Sequence, residues 1–177
     1  LYTSNVENMG GMFEDCNSLE SLDVSGLRTS KVTNMARMFS GCNSLQSIDV
    51  SNFDTSNVTD MTKMFQTCLE LSQLDVTRFN TSKVTSMVDM FYKCYKLTSL
   101  DCSHFNTSNV ASMSGMFNCC ECLTVLDISN FDTSNVTDFT SVFNTCRQLE
   151  HLDVSNFDTS KGVGFNAMFM LCDKLQQ

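Results

Sequence analysis

Apolar side chains recur along this chain at a fixed interval of 26 residues, with no insertion from the first unit to the last. Each residue of a unit therefore has an equivalent in the neighbouring units, and we call a set of equivalent positions a column. A constant period of 20 to 50 residues is typical of repeat proteins, in which each unit buries its apolar residues against its neighbours. Three of the invariant columns are Phe13, Phe39, Phe65, Phe91, Phe117, Phe143 and Phe169; Cys16, Cys42, Cys68, Cys94, Cys120, Cys146 and Cys172; and Leu19, Leu45, Leu71, Leu97, Leu123, Leu149 and Leu175.

The first part of each unit alternates between apolar and polar residues. In one central unit, Leu74 and Val76 flank Asp75 in this way, with Leu71 before them and Phe79 after them. Successive side chains of an extended segment point to opposite faces, so Leu74 and Val76 are expected to point inward and Asp75 outward. The pattern predicts one short β-strand per unit.

The second part of each unit has apolar residues at helical spacing, as Val58, Met61, Met64, Phe65 and Cys68 show. This spacing predicts a helix of two to three turns in every unit. Polar residues that precede the predicted helices are suited to cap them. The candidate caps are Thr55 or Ser56 in one unit and the pair Ser4 and Glu7 in the first.

These elements predict an α/β solenoid of about seven repeats that forms a single domain over residues 1–177. Each repeat is expected to contribute one short parallel strand and one short helix. Because a helix is about 10 Å wide and paired strands lie ~4.8 Å apart, the coil should curve, with strands on its concave face and helices on its convex face. The L-x-x-L-x-V core of each unit makes this a leucine-rich-repeat-like, right-handed coil.

The motif LxxLDVSNFDTSNVTDMxxMFxxC resembles the bacterial surface protein 26-residue repeat, the BspA-like class of leucine-rich-repeat surface proteins. The resemblance extends over essentially all of residues 1–177 and includes the F-D-T-S-N-V and M-F-x-x-C elements. It implies a long exported protein that is displayed on the cell surface and is linked to adhesion. The chain begins within a unit at Leu1, so it is expected to be a fragment whose export signal and anchor lie outside it. The resemblance supplies no catalytic residues.

Charge narrows the range of partners. The chain has 11 Lys and Arg against 20 Asp and Glu, which gives a net charge of −9. This balance argues against nucleic acid and anionic membranes as partners, because both favour basic proteins. No apolar run approaches the roughly 18 residues of a membrane helix, so direct membrane insertion is not expected. The sequence leaves the oligomeric state open.

Most of the ten cysteines have a structural explanation. Seven form the cysteine column and an eighth, Cys102, lies at an apolar strand position, so these are expected to be free, buried thiols. Stacked cysteines would also have parallel Cβ directions, which suit a disulfide poorly. Cys119 and Cys122 form a C-x-x-C pair that could bind a metal or take part in redox chemistry. A single pair without a second pair or a nearby histidine is a weak signal for such a site, and a local disulfide is slightly favoured over it.

One aspartate per unit is expected to lie on the concave face, about 5 Å from the next. The central members of this aspartate column are Asp49, Asp75, Asp101 and Asp127, and His151 should lie near them. Two charges at ~4 Å repel by about 1 kcal/mol in water. Hydrogen bonds from hydroxyl and N–H groups, bound Ca²⁺, or protonation of some members could offset this repulsion. Hydrogen bonding without a cofactor is favoured, with Ca²⁺ as the alternative.

Positions that differ between units are the candidates for recognition. The segment FYKCYKL at 91–97 places Tyr92, Lys93, Tyr95 and Lys96 together in an otherwise acidic chain. Exposed tyrosines beside cations are typical of surfaces that contact proteins or glycans. Neutral variation in a permissive loop is the alternative explanation.

The sequence predicts a non-enzymatic binding or adhesion module that is extracellular and displayed on the cell surface. Its two histidines, His104 and His151, lie in different columns, and neither belongs to a catalytic arrangement that the repeat would assemble. The expected partner is a protein or glycan of a host or a neighbouring cell. Two alternatives are a structural spacer without a ligand and a module that carries Ca²⁺ on the aspartate column.

Overall fold

The computed structural model describes residues 1–176, in which equivalent residues of neighbouring units pair in parallel along the chain. Its two strands are β1, Ser99–Asp101, and β2, Val125–Asp127. They form a two-stranded parallel sheet in which Leu100 lies opposite Leu126. Within this described range the chain contains no helix, and hence none long and apolar enough to cross a bilayer. Most of the backbone consists of turns and irregular segments.

The most regular backbone pairing lies outside the predicted strand. Isolated parallel bridges join every member of one column to the equivalent residue of the next unit. This bridge column falls where the sequence predicts the start of a helix. The segment predicted to be a strand pairs between β1 and β2 and at one further bridge, Ser47 to Gln73. The bridge column comprises Asn8, Asn34, Asp60, Ser86, Ser112, Asp138 and Gly164.

The prediction of one helix per unit is wrong, because the backbone N–H groups of this segment have other partners. Met64 donates its N–H to the carbonyl of Met61 at 3.2 Å, and Cys68 donates to that of Phe65 at 3.2 Å, so the chain forms successive turns. Between them, Phe65 donates its N–H to the carbonyl of Met90 in the next unit at 2.9 Å. An α-helix needs each of these N–H groups for a carbonyl four residues earlier in the same segment. The expected caps therefore have no helix to act on.

Two residues in each unit have a left-handed backbone, and they lie four positions apart. Lys63 has a φ of 60° and Thr67 a φ of 56° in one central unit. A right-handed helix does not continue through such residues, because left-handed backbone is costly for L-amino acids. The resulting turns still bring every third or fourth side chain inward, so they reproduce the apolar spacing of a helix. The two left-handed columns are 11, 37, 63, 89, 115, 141 and 167, and 15, 41, 67, 93, 119, 145 and 171.

The leucine-rich-repeat-like α/β solenoid is consequently an incorrect prediction. Its curvature depended on strands and helices of different widths on opposite sides of the coil, and the described chain has no helical side. The alternation of burial in the extended segment is nevertheless observed. Leu74 and Val76 are buried and Asp75 is exposed, as expected of a segment that has one face against the core.

A single hydrophobic core runs through the stacked units. Its centre is the phenylalanine column, whose rings lie nearly parallel and are fully buried in the central units. The ring centroids of Phe39 and Phe65 are 5.5 Å apart, those of Phe65 and Phe91 5.9 Å, and those of Phe91 and Phe117 5.7 Å. Stacked aromatic rings at this separation add to the stabilisation that comes from burial alone. The phenylalanine column therefore ties each unit to both of its neighbours.

Buried threonines join the units at a second level of the core. Thr55 donates its hydroxyl to the carbonyl of Asn80 at 3.0 Å and accepts the N–H of the same residue at 2.7 Å. Thr81 makes the same two bonds with Asn106, at 3.0 and 2.8 Å. A side chain thus supplies the pair of bonds that a backbone bridge would make. The predicted role of Thr55 as a helix cap is wrong because its hydroxyl serves the next unit.

The cysteine column shows why a thiol suits its position. The S–H of Cys68 donates to the carbonyl of Phe39 at 3.2 Å, and that of Cys94 donates to Phe65 at 3.2 Å. These bonds run to the preceding unit, so the thiol acts as a small apolar group with one useful donor. Burial raises the pKa of the Cys42 thiol to about 11. The ten cysteines are free, and Cys102 and the five central members of the column are buried, as expected. Burial was expected of the two terminal members as well, but Cys16 is exposed and Cys172 is half-buried.

Substitution at a left-handed position distinguishes turns from a helix. Ser141 has a φ of 57°, and its equivalent in the preceding unit is Gly115, with a φ of 64°. We expect the Ser141→Gly variant to be more stable than Ser141→Ala by about 1 kcal/mol, because glycine adopts this backbone without strain. In a helix, the order would be reversed by a similar amount. Urea denaturation of the two variants measures the difference, and greater stability of the alanine variant would contradict the turn.

Candidate binding surface

The predicted contact segment, residues 91–97, lies on one side of the stack in a central unit. Its apolar residues are buried in the core and its other residues reach the surface. Tyr92, Lys93 and Tyr95 are half-buried and Lys96 is exposed. Lys93 occupies one of the left-handed columns, with a φ of 60°. Lys93 and Tyr95 line one surface groove and Lys96 lines another, so the four residues do not form one continuous patch.

Lys93 lies against its neighbour in sequence. Its Nζ atom is 5.1 Å from the centroid of the Tyr92 ring, within the range of a cation–π interaction. The contact with Tyr92 raises the pKa of Lys93, so the lysine remains charged throughout the physiological range. Tyr92 therefore holds the ammonium group in place at the surface.

Lys93 and Tyr95 line a surface groove together with residues of the three preceding units. One side of the groove comes from a left-handed column and the other from the residues two positions later. Because equivalent residues of paired units lie side by side, residues 26 apart in sequence become neighbours here. We call this the lysine–tyrosine groove; it is lined by Asp15, Asn17, Gly41, Asn43, Thr67, Leu69, Lys93 and Tyr95.

Local contacts fix the polar side chains of the lysine–tyrosine groove. Asn43 donates its side-chain amide N–H to the side-chain oxygen of Asn17 at 2.9 Å. Thr67 donates its hydroxyl to the carbonyl of Gln66 at 2.7 Å. A side chain at Gly41 would collide with the carboxylate of Asp15, so glycine keeps this part of the groove open. The groove therefore presents amide, hydroxyl and carboxylate groups in a defined arrangement.

Lys96 lies in a separate groove. Its neighbours there include Glu70, which is its equivalent in the preceding unit, with Ser72, Thr98 and Cys122. The sequence placed Lys93 and Lys96 in one cluster, whereas the structure assigns them to two surface features. Like the lysine–tyrosine groove, which contains Lys93 and Asp15, this second groove combines one lysine with one carboxylate.

Some cations of the described residues are paired with carboxylates, whereas Lys93 and Lys96 are not. Arg37, Lys63 and Arg147 all form ion pairs, the shortest of them between Arg147 and Asp173 at 2.8 Å. Within residues 1–176, neither Lys93 nor Lys96 has a carboxylate within ion-pair distance. Their charges are consequently available to a ligand.

The aspartate column lies on an exposed face. Asp49, Asp75, Asp101 and Asp127 are all exposed, and the last two end β1 and β2. Each accepts a hydrogen bond at 2.9 to 3.0 Å from the N–H group two residues later. Thr77 also donates its hydroxyl to Asp75 at 2.6 Å. Among the three expected ways to offset the repulsion, hydrogen bonding is the one that the structure displays.

These hydrogen bonds keep the carboxylates charged. They lower the pKa of Asp75 below its ordinary value of 3.8, with the hydroxyl of Thr77 as the largest cause and its N–H as the next. The adjacent Asp101 acts in the opposite direction and has the smaller effect. The same kind of hydrogen bond lowers the pKa of Asp49 and of Asp101. Hydrogen bonding thus outweighs repulsion between neighbouring aspartates at these positions.

Stability should fall in acid because of these shifts. A carboxyl group whose pKa is lower in the folded chain stabilises it above the unfolded pKa, and this contribution is lost as the pH falls through the folded value. We expect the urea midpoint to decline below about pH 4. The decline should be shallower in Asp75→Asn, since an amide oxygen can accept the same bond, as Asn80 does from Ser82 at 3.0 Å. Equal slopes for the variant and the original chain would contradict this assignment.

His151 is exposed and lies where the sequence placed it, near the end of the aspartate column. It lines a third groove with Asp127, Asp153 and the exposed Val125. Val125 is 61% exposed, which is unusual for a valine in a strand. This groove combines two carboxylates with an imidazole, and it shares no lining residue with the lysine–tyrosine groove.

Metal ligands do not converge in the described part of the chain. Residues 1–176 contain no group of three or more His, Cys, Asp or Glu side chains that could hold an ion. Cys119 and Cys122 are both half-buried free thiols, and the Cys119 thiol lies 3.2 Å from the side-chain oxygen of Asn118. The C-x-x-C pair therefore does not belong to a group of this kind, although Glu121 lies between the two cysteines in the sequence.

Adding calcium tests the alternative hypothesis that the aspartate column binds Ca²⁺. We expect millimolar Ca²⁺ to leave the melting temperature unchanged, because Ca²⁺ requires six to eight oxygen ligands and each aspartate already bonds within its own turn. Thermal unfolding with Ca²⁺ and with a chelator measures this. A rise of several degrees that Mg²⁺ does not reproduce would instead assign a calcium site to the column.

Sequence reasoning missed the partners of Lys93 and Tyr95 in their groove. Asn17, Asn43 and Thr67 come from other units and differ in type from the residues at 93 and 95. The 26-residue period indicates these partners, because positions 17 and 43 are in the same column as 95, and position 67 is in the same column as 93. Reading along columns rather than along the chain would have found them.

Parallel pairing at a fixed interval and a continuous core define this chain as a stacked repeat protein. Residues 1–100 and 97–177 match a family model described as "Mycoplasma protein of unknown function, DUF285". Because the two matches together cover the whole chain, the chain belongs to this family. A search of curated proteins finds no significant match.

Proposed function

We propose that this chain is a non-enzymatic binding module of a BspA-like surface protein, and that it acts outside the cell, at the cell surface. Its partner is a protein or glycan of a host or a neighbouring cell, and the contact lies in the lysine–tyrosine groove. Family membership and the repeated motif support the assignment to surface proteins. The groove supports a binding role, because it is concave and combines a cation, an aromatic ring and amides.

One observation carries the proposal: Lys93 has no ion-pair partner among the described residues, although the chain has a net charge of −9. By contrast, the interior of the stack is fully satisfied, with no buried side-chain nitrogen or oxygen in residues 1–176 lacking a hydrogen-bond partner. The buried polar side chains therefore stabilise the packing of the units. A half-buried lysine held against a tyrosine serves no such purpose, so its charge is available for recognition.

A binding screen tests the proposal. The chain is applied to immobilised glycans and to immobilised extracellular proteins, in parallel with Lys93→Ala and Tyr95→Ala. We expect at least one ligand whose binding both substitutions weaken. Lys31→Ala is the matched control, because Lys31 is an exposed lysine that bonds Asn5 at 2.7 Å, outside the groove. Urea denaturation shows whether the variants remain folded.

A spacer is the second candidate function. Backbone bridges, buried threonines and stacked phenylalanines join every central unit to both neighbours, which suits a stiff connecting segment. A spacer would bind nothing in the screen, and folded Lys93→Ala would behave as the original chain does. That result would overturn the binding proposal and leave the spacer as the better explanation.

A further inference from the structure

We propose that the lysine–tyrosine groove binds a short oligosaccharide with one acidic sugar, whose acid group lies at Lys93 and whose ring lies against Tyr95. This inference rests on the proposed binding function and names the class of ligand for the same groove. Its basis is the order of chemical groups along the groove, which changes from a carboxylate at one end to a cation at the other.

The dimensions of the groove suit a short, extended ligand. Its lining residues come from four consecutive units, with Asp15 in the first and Lys93 in the fourth. Paired backbones lie ~4.8 Å apart, so three steps between units give a length of about 14 Å. This is enough for a few sugar rings in a row, and each ring would face the side chains of one or two units.

The charges fix the direction of the ligand. Lys93 is the cation of the groove and is held in place by the Tyr92 ring, 5.1 Å from its Nζ atom. A carboxylate or sulfate on the ligand would pair with it, and such charge-assisted bonds are stronger than neutral ones. Asp15 would repel an acid group at the opposite end, where its carboxylate can instead accept bonds from neutral sugar hydroxyls. A long polyanion is disfavoured by Asp15 and by the net charge of −9.

The middle of the groove offers both hydrogen-bonding groups and apolar surface, which suit the hydroxyl groups and the ring faces of a sugar. The bond from Asn43 to Asn17 uses one atom of each amide and leaves the other for hydroxyl groups of a ligand. Leu69 and Tyr95 are equivalent residues of adjacent units and supply apolar surface to the same side of the groove. Tyrosine combines an apolar face with a polar tip, which suits the mixed surface of a sugar ring. Gly41, on the opposite side of the groove, leaves space beside Asp15.

An acidic peptide is the main competing ligand. Peptides that bind an edge usually add a strand or insert large apolar anchors into pockets. The lysine–tyrosine groove has left-handed backbone along one side, at Asp15, Gly41, Thr67 and Lys93, which does not offer the regular pairing of an edge strand. Its polar groups face outward as side chains rather than as backbone. These features favour a sugar over a peptide.

Calorimetric titration with a matched pair of sugars tests the inference. The probes are 3′-sialyllactose and lactose, which differ by one acidic sugar, together with an acidic hexapeptide. We expect sialyllactose to bind at least about tenfold more tightly than lactose, as one charge-assisted bond would give. Lys93→Gln should abolish this preference, and Tyr95→Ala should weaken the binding of both sugars. Lys31→Gln should change neither.

The outcomes separate this inference from the proposed function. Equal binding of the two sugars, or a preference that survives in folded Lys93→Gln, would overturn the acidic-sugar assignment while leaving a binding module in place. Binding of the peptide alone would also overturn it and would favour a protein partner. Failure of every ligand here and in the broader screen would overturn both proposals together. Retention of the urea midpoint in each variant shows that a loss of binding is not a loss of folding.

Discussion

Replacing Phe91 by alanine should lower the free energy of unfolding by about 3–5 kcal/mol, the cost of removing a fully buried aromatic ring. The ring is stacked between Phe65 and Phe117, with centroids 5.9 and 5.7 Å away, so both contacts would be lost. The backbone would not move to fill the space. The N–H of Phe91 bonds the carbonyl of Met116 at 2.9 Å, and its own carbonyl accepts the N–H of Cys94 at 3.1 Å.

The matched control is Phe169→Ala in the last unit. Phe169 is 41% exposed and stacks on Phe143 at 5.5 Å, so its truncation removes less buried surface. We expect a cost of about 1–2 kcal/mol there, as partial burial predicts. Urea denaturation gives both values, provided that the slopes of the transitions agree. If Phe91→Ala cost no more than Phe169→Ala, the phenylalanine column would not be the continuous core described above.

The columns and their burial could be predicted from the sequence because they depend on side-chain chemistry alone. An apolar residue that recurs at a constant interval is buried by equivalent residues of its neighbours, whatever backbone carries it. The expectation that Cys68 and Cys94 are buried thiols is confirmed for this reason. The additional bond from each thiol to a phenylalanine carbonyl could not be predicted, because it depends on the relative shift of two units.

The helix prediction failed because apolar spacing does not report the handedness of the backbone. Turns that contain two left-handed residues four positions apart bury the same side chains as a short helix. A hint lay in the left-handed columns, which contain Gly11, Gly41 and Gly115 beside the β-branched Thr67 and Thr145. Glycine and β-branched residues are weak helix formers. The residue types in these two columns are therefore evidence against the helix that the apolar spacing predicted.

The candidate site was predicted in part. Lys93 and Tyr95 were named from their unusual type and do line a common groove. The separation of Lys96 from them could not be foreseen, because it depends on which residues of neighbouring units line each groove. The contribution of Asn17 from three units earlier required the observed stacking of units rather than their sequence proximity.

Replacing Thr55 by valine should lower the free energy of unfolding by about 2–3 kcal/mol, although valine conserves the volume. Thr55 is 1% exposed, and its hydroxyl both donates to and accepts from the backbone of Asn80. Valine would leave an N–H and a carbonyl without partners at an interface between units, and water has little access to replace the hydroxyl. The loss should therefore come from hydrogen bonding rather than from packing, and urea denaturation measures its size.

Two further variants distinguish hydrogen bonding from other effects at Thr55. Thr55→Ser keeps the hydroxyl and loses a methyl group, so it should recover most of the stability that Thr55→Val loses, with a residual cost of about 1 kcal/mol. Thr59→Val removes an exposed hydroxyl that donates to Thr33 at 3.1 Å, and water can take its place there. Its cost should stay within about 0.5 kcal/mol, as is usual for surface substitutions. If Thr55→Val were as mild as Thr59→Val, the buried threonines would not bond the units together, and packing of the phenylalanine column would have to account for their cohesion.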